Sequence, residues 1–131
     1  MSDDAVRGAE GESVRKKVVD LMDYAEPFLE KFPRSEKGYA GLATKIRQCF
    51  NSMAEREMDT HKCYYPKSVL KELNELDKQI QYAKFFVERA YVKKCIDLKR
   101  LSIMNDYLVQ IGRMTGSWIQ KVKASDNSRG R

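Results

Sequence analysis

Chemistry in a small chain needs a nucleophile, a metal cage or a pair of poised carboxylates, and this sequence offers little of each. Its single histidine, His61, stands two residues before Cys63 in the segment EMDTHKCYYP. A metal site needs three or four ligands at short spacing, and no third ligand type lies nearby, so the pair reads as an exposed loop histidine beside a free thiol. No Gly-rich phosphate loop, nucleophile elbow, H-E-x-x-H or bundle-type Glu-x-x-His pattern occurs. Glu72, Glu75, Asp77 and Glu88 alternate with lysines at helical spacing, the pattern of a solvated face. The expectation is a protein that is not an enzyme and takes no metal and no cofactor.

The basic residues say more. The formal net charge is +6. Asp3, Asp4, Glu10 and Glu12 outweigh Arg7 in the first twelve residues, so the remaining chain carries a still larger positive surplus. Such a surplus attracts polyanions, though it also serves plain solubility. On a helical wheel Lys71, Lys78, Tyr82, Phe85 and Arg89 fall together, with Phe86 beside them and the apolar seam of the same helix on the opposite side. Rings alternating with cations could stack bases while neutralising phosphates, or form half of a subunit interface with lysine stems packed over it. The interface is the better reading for Phe85 and Phe86.

These residues ride on a predicted set of four helices. Residues 1–12 read as a flexible acidic leader and Ser13 as the cap of the first helix. That helix repeats Val14, Val18, Leu21, Ala25, Phe28 and Phe32; Pro27 removes a backbone donor and is expected to bend it near Asp23 or Tyr24, and it continues to about Lys31 before Pro33 stops it. Ser35 is available to cap a second helix over about residues 36–56, with Tyr39, Leu42, Ile46, Cys49, Phe50 and Met53 as its core. Periodicity fails over 57–66, which reads as the longest loop. The third helix has the cleanest repeat, Val69, Leu73, Leu76, Ile80, Ala83, Val87 and Ala90, and runs to about Lys94. Asp97 caps the fourth, which ends near Lys123 before a polar tail, 124–131, read as disordered.

In the fourth helix the seam Leu101, Met104, Leu108, Ile111, Thr115, Trp118 and Val122 is flanked by Ile103, Tyr107, Met114 and Ile119. The apolar arc spans nearly half the circumference, wider than one partner needs, and Gly112 and Gly116 stand one turn apart on its edge. This assigns Tyr107, Gly112, Met114, Gly116, Trp118 and Ile119, with Phe85 and Phe86, to an oligomer interface. The fold class is all-α, an antiparallel up-down-up-down four-helix bundle at 13–123, assembling into a ring-like homo-oligomer. That topology places the first and third links at one end, where Lys31, Arg34 and Lys37 meet Lys93, Lys94, Lys99 and Arg100. Only Glu30, Glu36 and Asp97 offset these cations. Three unpaired cysteines, the absence of an apolar run of membrane-spanning length and the acidic start point to a cytoplasmic protein with no membrane contact.

Pro27 ahead of Phe32-Pro33-Arg34, Lys37-Gly38, and then Ile111-Gly112-Arg113 with Gly116-Ser117-Trp118-Ile119 and Val122 give the chain its family likeness. It resembles the accessory variability determinant of diversity-generating retroelements, a family related to the four-helix bundle proteins encoded by ribosomal RNA intervening sequences. The likeness spans about residues 13–123. It implies a homopentamer with a basic surface that associates with the reverse transcriptase and with template RNA or cDNA, supporting mutagenic retrohoming without being the polymerase. Lys84-Phe85-Phe86 resembles an Arg-aromatic-aromatic segment of that family; Glu88 stands where a second cation is expected, and Arg89 follows one position later. The cations expected to meet RNA, DNA or the polymerase are Lys84, Arg89, Lys93, Lys94, Lys99, Arg100 and Arg113. The alternative is a homo-oligomeric scaffold with no nucleic-acid role.

Overall fold

The computed structural model describes residues 3–129, with side chains from Glu10 to Asn127. Four helices carry the chain: α1 (Asp3–Glu30), α2 (Leu42–Thr60), α3 (Pro66–Val92) and α4 (Leu98–Arg129), with a single 3₁₀ turn at Arg34–Glu36. Cross-links fix their directions. Arg15 meets Glu57 and Arg47 meets Glu26, so position rises along α1 as it falls along α2. Glu10 pairs with Lys121, and Tyr24 lies 6.0 Å from Tyr107, which sets α1 antiparallel to α4. The link between α3 and α4 is far too short to span a helix of roughly 40 Å, so these two are antiparallel as well. Helices consecutive in the chain pack side by side, α1 and α4 close the square, and the backbones of the two diagonal pairs stay apart. No helix among the described residues is long and apolar enough to cross a membrane.

The core is the set of seams meeting along the axis. All seven predicted α3 positions are buried, as are Val14, Val18, Leu21, Ala25 and Phe32 of the first seam and Met104, Leu108, Ile111, Thr115, Trp118 and Val122 of the fourth. Leu29 is buried where Phe28 was expected; Phe28 and Leu101 are only partly covered. Trp118 is fully enclosed, with its indole Nε1 lacking a hydrogen-bond partner.

The ends of the elements depart from the sequence reading. The acidic leader is helical from Asp3, so Ser13 lies inside α1 rather than at its cap, and α4 continues through the polar tail to Arg129; positions 1, 2, 130 and 131 lie outside the described residues. Gly11 explains the first extension, because it is buried one step ahead of Val14 on the same seam. A Cβ there would sit 2.9 Å from Glu57 Oε1 and 3.2 Å from the Trp118 ring. Helix α2 starts at Leu42 rather than Glu36, and Tyr39, assigned to its core, is 95% exposed. The cause is Gly41, where a Cβ would collide with the Glu36 carbonyl: the chain folds back on itself here, and the Gly41 N–H closes the turn on Gly38 O at 2.9 Å. The same helix runs past Arg56 to Thr60, since Glu57 and Thr60, polar as they are, face the core.

Candidate nucleic-acid interface

Two helix ends build the basic end of the bundle. Helix α3 closes with the Lys94 N–H on Tyr91 O and the Cys95 N–H on Ala90 O, both 2.9 Å or shorter. This is a Schellman closure, which needs a left-handed residue after the cap. Lys94 takes that place with φ 63°, the single positive-φ non-glycine residue among those described. Helix α4 then opens under Asp97, whose Oδ1 accepts the Arg100 N–H at 2.9 Å, as the sequence predicts. Across the gap the 3₁₀ turn brings Glu36 to Lys93, 3.6 Å between Oε2 and Nζ, too long for a hydrogen bond, so that buried oxygen is held by charge alone. The Arg100 guanidinium lies over the Phe28 ring at 4.2 Å from its centroid, and Lys37 Nζ donates to Glu30 O at 3.2 Å.

The first and third links therefore meet, and the predicted collar forms. Lys31, Arg34, Lys94 and Lys99 are exposed and make no ion pair among the described residues. Arg100 is partly committed, with its guanidinium 3.7 Å from Asp97. Beside it an open hollow of about 600 Å³ is lined by Tyr91, Val92, Lys94, Ile96 and Arg100 together with the acidic Asp97, with Val92 and the neighbouring Leu98 exposed. Cations on an apolar rim hold anions that carry rings or aliphatic surface as well as charge.

A family model described as bAvd-like matches residues 13–122. The chain belongs to the bAvd-like family. Among curated proteins none matches it. Membership bears out the likeness to accessory variability determinants and points to an accessory protein of a diversity-generating retroelement.

Within this bAvd-like chain the predicted cations separate. Lys93, Lys94, Lys99 and Arg100 form the collar with Lys31, Arg34 and Lys37. Arg89 is exposed one turn below it on α3, and Lys84 is half-buried about 12 Å below the end of that helix. Arg113 is exposed on α4, about 22 Å from the helix start, and is not part of the same patch.

The predicted interface residues separate too. Trp118 has no surface to offer a second copy, because it is wholly buried inside one protomer, and its assignment to an interface is corrected here. The wide arc of α4 has an internal explanation: the helix sits between α1 and α3 and needs apolar surface toward both. Tyr107 is half-buried toward Tyr24 of α1, and Gly112 faces Ile80 of α3, where a Cβ would be 4.0 Å from Cγ2. Met114 and Ile119 are half-buried, Gly116 is exposed with open space above it, and Phe86 packs partly on the core. Phe85, 57% exposed and edge-on to Phe86 at 5.4 Å, is the large apolar residue of the set that one protomer leaves uncovered.

One cluster was not foreseen. Glu57 is fully buried, and Arg15 grips it with Nε to Oε2 at 2.9 Å and Nη2 to Oε1 at 3.0 Å. His61 Nε2 stands 3.0 Å from the same Oε1 and 3.1 Å from Arg15 Nη2, so it is no bare loop histidine. The carboxylate holds the Arg15 proton more firmly, raising that guanidinium further. The i, i+4 spacing of Glu57 and His61 was visible in the sequence; the arginine arrives from α1 and was not. Among the described residues no group of three potential metal ligands is found.

Proposed function

We propose that this chain is the accessory protein of a diversity-generating retroelement that binds the reverse transcriptase and nucleic acid, template RNA or cDNA, and supports mutagenic retrohoming without catalysing it. The observation that supports this is the collar: four exposed cations with no acid partner among the described residues, flanked by Lys93 and Arg100, at one end of a strongly basic protein. A phosphate backbone releases counterions when it meets such a patch, so binding is sequence-tolerant and steeply salt-dependent. The proposal includes self-association into a ring, a pentamer in the family it resembles, through the flank bearing Phe85 and Gly116. Copies set side by side would join their collars into one basic platform.

Filter binding of labelled RNA at rising salt tests the nucleic-acid half. The double variant Lys94→Glu and Lys99→Glu, whose side chains form no ion pair among the described residues, is expected to weaken retention at least tenfold at moderate salt and lower the log–log slope by about one per phosphate contact removed. No retention of RNA by the unaltered protein even at low ionic strength would reject that half. Retrohoming untouched by the double variant would favour the scaffold reading instead. Co-purification with the reverse transcriptase tests the remaining partner.

A further inference from the structure

Between α2 and α3 runs an open groove of about 550 Å³ that neither the collar nor the core accounts for. Tyr82 and Phe86 give it aromatic surface, and Gln48, Asn51, Ser52 and Gln79 give it amide and hydroxyl groups. None of those four side chains makes a hydrogen bond among the described residues. Tyr82 is 45% exposed, so its ring is open to a visitor. Its two ends differ in charge: Lys45 lies toward the collar and Glu55 toward the far end. Along the outer lip the stripe Lys78, Tyr82, Phe85, Arg89 and Lys93 leads at steps of three and four up to the collar itself.

An interface between copies of this chain would favour apolar surface here, since each amide buried without a partner costs free energy. A peptide would satisfy the amides but has no use for the cationic lip. A flat ring with donors and acceptors on its edge, attached to an anionic backbone, uses all three features at once. We propose that the α2–α3 groove receives unpaired bases of a single strand whose phosphates lie on Arg89, Lys93 and Lys45, with Tyr82 as stacking platform and the amides meeting base edges. This rests on the nucleic-acid reading above and adds a preference to it: single strands over duplex, because paired bases keep their faces stacked and out of reach.

The test compares an oligonucleotide carrying 2-aminopurine with the duplex of the same sequence, by fluorescence anisotropy and by quenching of the base analogue. Tyr82→Ala is expected to lower single-strand affinity by about 5- to 100-fold and abolish the quenching, while duplex affinity and the salt slope stay unchanged. Tyr82→Phe keeps the ring and is expected to stay within about twofold of the unaltered protein. The collar variant Lys94→Glu and Lys99→Glu weakens both substrates, so failure of the two readings is separable. Equal loss for single strand and duplex in Tyr82→Ala, no loss in either, or a smaller sedimentation coefficient that marks the groove as a contact between copies would each overturn the proposal. Absence of any nucleic-acid binding by the unaltered protein would overturn it together with the reading it rests on.

Discussion

A buried carboxylate decides what the far end of the bundle tolerates. Glu57 is stable inside because Arg15 supplies two donors to it. His61 Nε2 can accept from Arg15 or donate to Glu57 Oε1 but not both, so it adds at most one hydrogen bond to the two charge-assisted bonds that the arginine makes. The two neighbours should therefore differ in worth. Arg15→Ala strands a buried charge, which costs about 3–5 kcal/mol in a dry site and about 2–3 here, since the guanidinium side chain is 42% exposed and water can follow it in. His61→Ala should cost under about 1 kcal/mol. Urea denaturation of both variants checks the order, and an equal loss would show that the histidine holds the carboxylate too. A second residue-scale effect concerns Cys49, whose thiol burial pushes up to about 11 from a usual 9.0. Above pH 9 the unfolded chain gives up that proton while the native chain keeps it, so stability falls as pH rises from 9 toward 11, by at most about 2 kcal/mol. Melting curves across this range should fall less steeply for Cys49→Ala than for the unaltered protein, other titrating groups being common to both.

Helix ends carry strain and helix middles carry the pattern, which is why the two were legible to different degrees. A left-handed Lys94 costs about 1 kcal/mol more than glycine would in the same Schellman closure, so Lys94→Gly is expected to raise the urea midpoint by about that stability while removing one collar charge. A melting temperature unchanged or lowered would mean that the lysine side chain contributes to holding the end. The α3 seam was read residue for residue, because seven apolar positions at alternating steps of three and four admit no other period. The collar was equally legible, since it follows from short links and alternating direction. What escaped was polar burial and glycine geometry. Glu57 and Thr60 broke the apolar pattern and hid the last turn of α2, although Thr60 is satisfied locally by Oγ1 donating to Glu57 O. Gly11 and Gly41 signal weakness when read one at a time, whereas in the fold they mark the two places where other chain segments press against the backbone. The Arg15 partnership and the α2–α3 groove depend on which helices become neighbours, and composition and spacing do not encode that directly.

At the scale of the whole molecule, apolar surface and charge are partitioned between what one protomer uses and what it leaves over. The square of helices consumes the broad arc of α4, so that arc is not evidence for self-association; of the residues assigned to an interface from the sequence, Phe85 and the open side of Gly116 are what one protomer leaves uncovered. Trp118 offers a clean way to separate folding from assembly, because it is the only tryptophan and is sealed within the protomer. An indole without water contact or a hydrogen-bond partner emits at the blue end of its range, and its emission moves to the red only when water reaches it. Dilution through any dissociation of a ring should therefore leave the emission maximum in place while sedimentation velocity records smaller species, and the maximum should shift only in denaturant. Phe85→Glu should produce those smaller species at concentrations where the unaltered protein stays assembled, again with the emission unmoved, because a charge placed on an exposed contact opposes association without touching the core. A red shift that tracks dilution would mean that the packing around Trp118 is completed only by a neighbouring copy, and the single-protomer core described above would then be a fragment of a larger one.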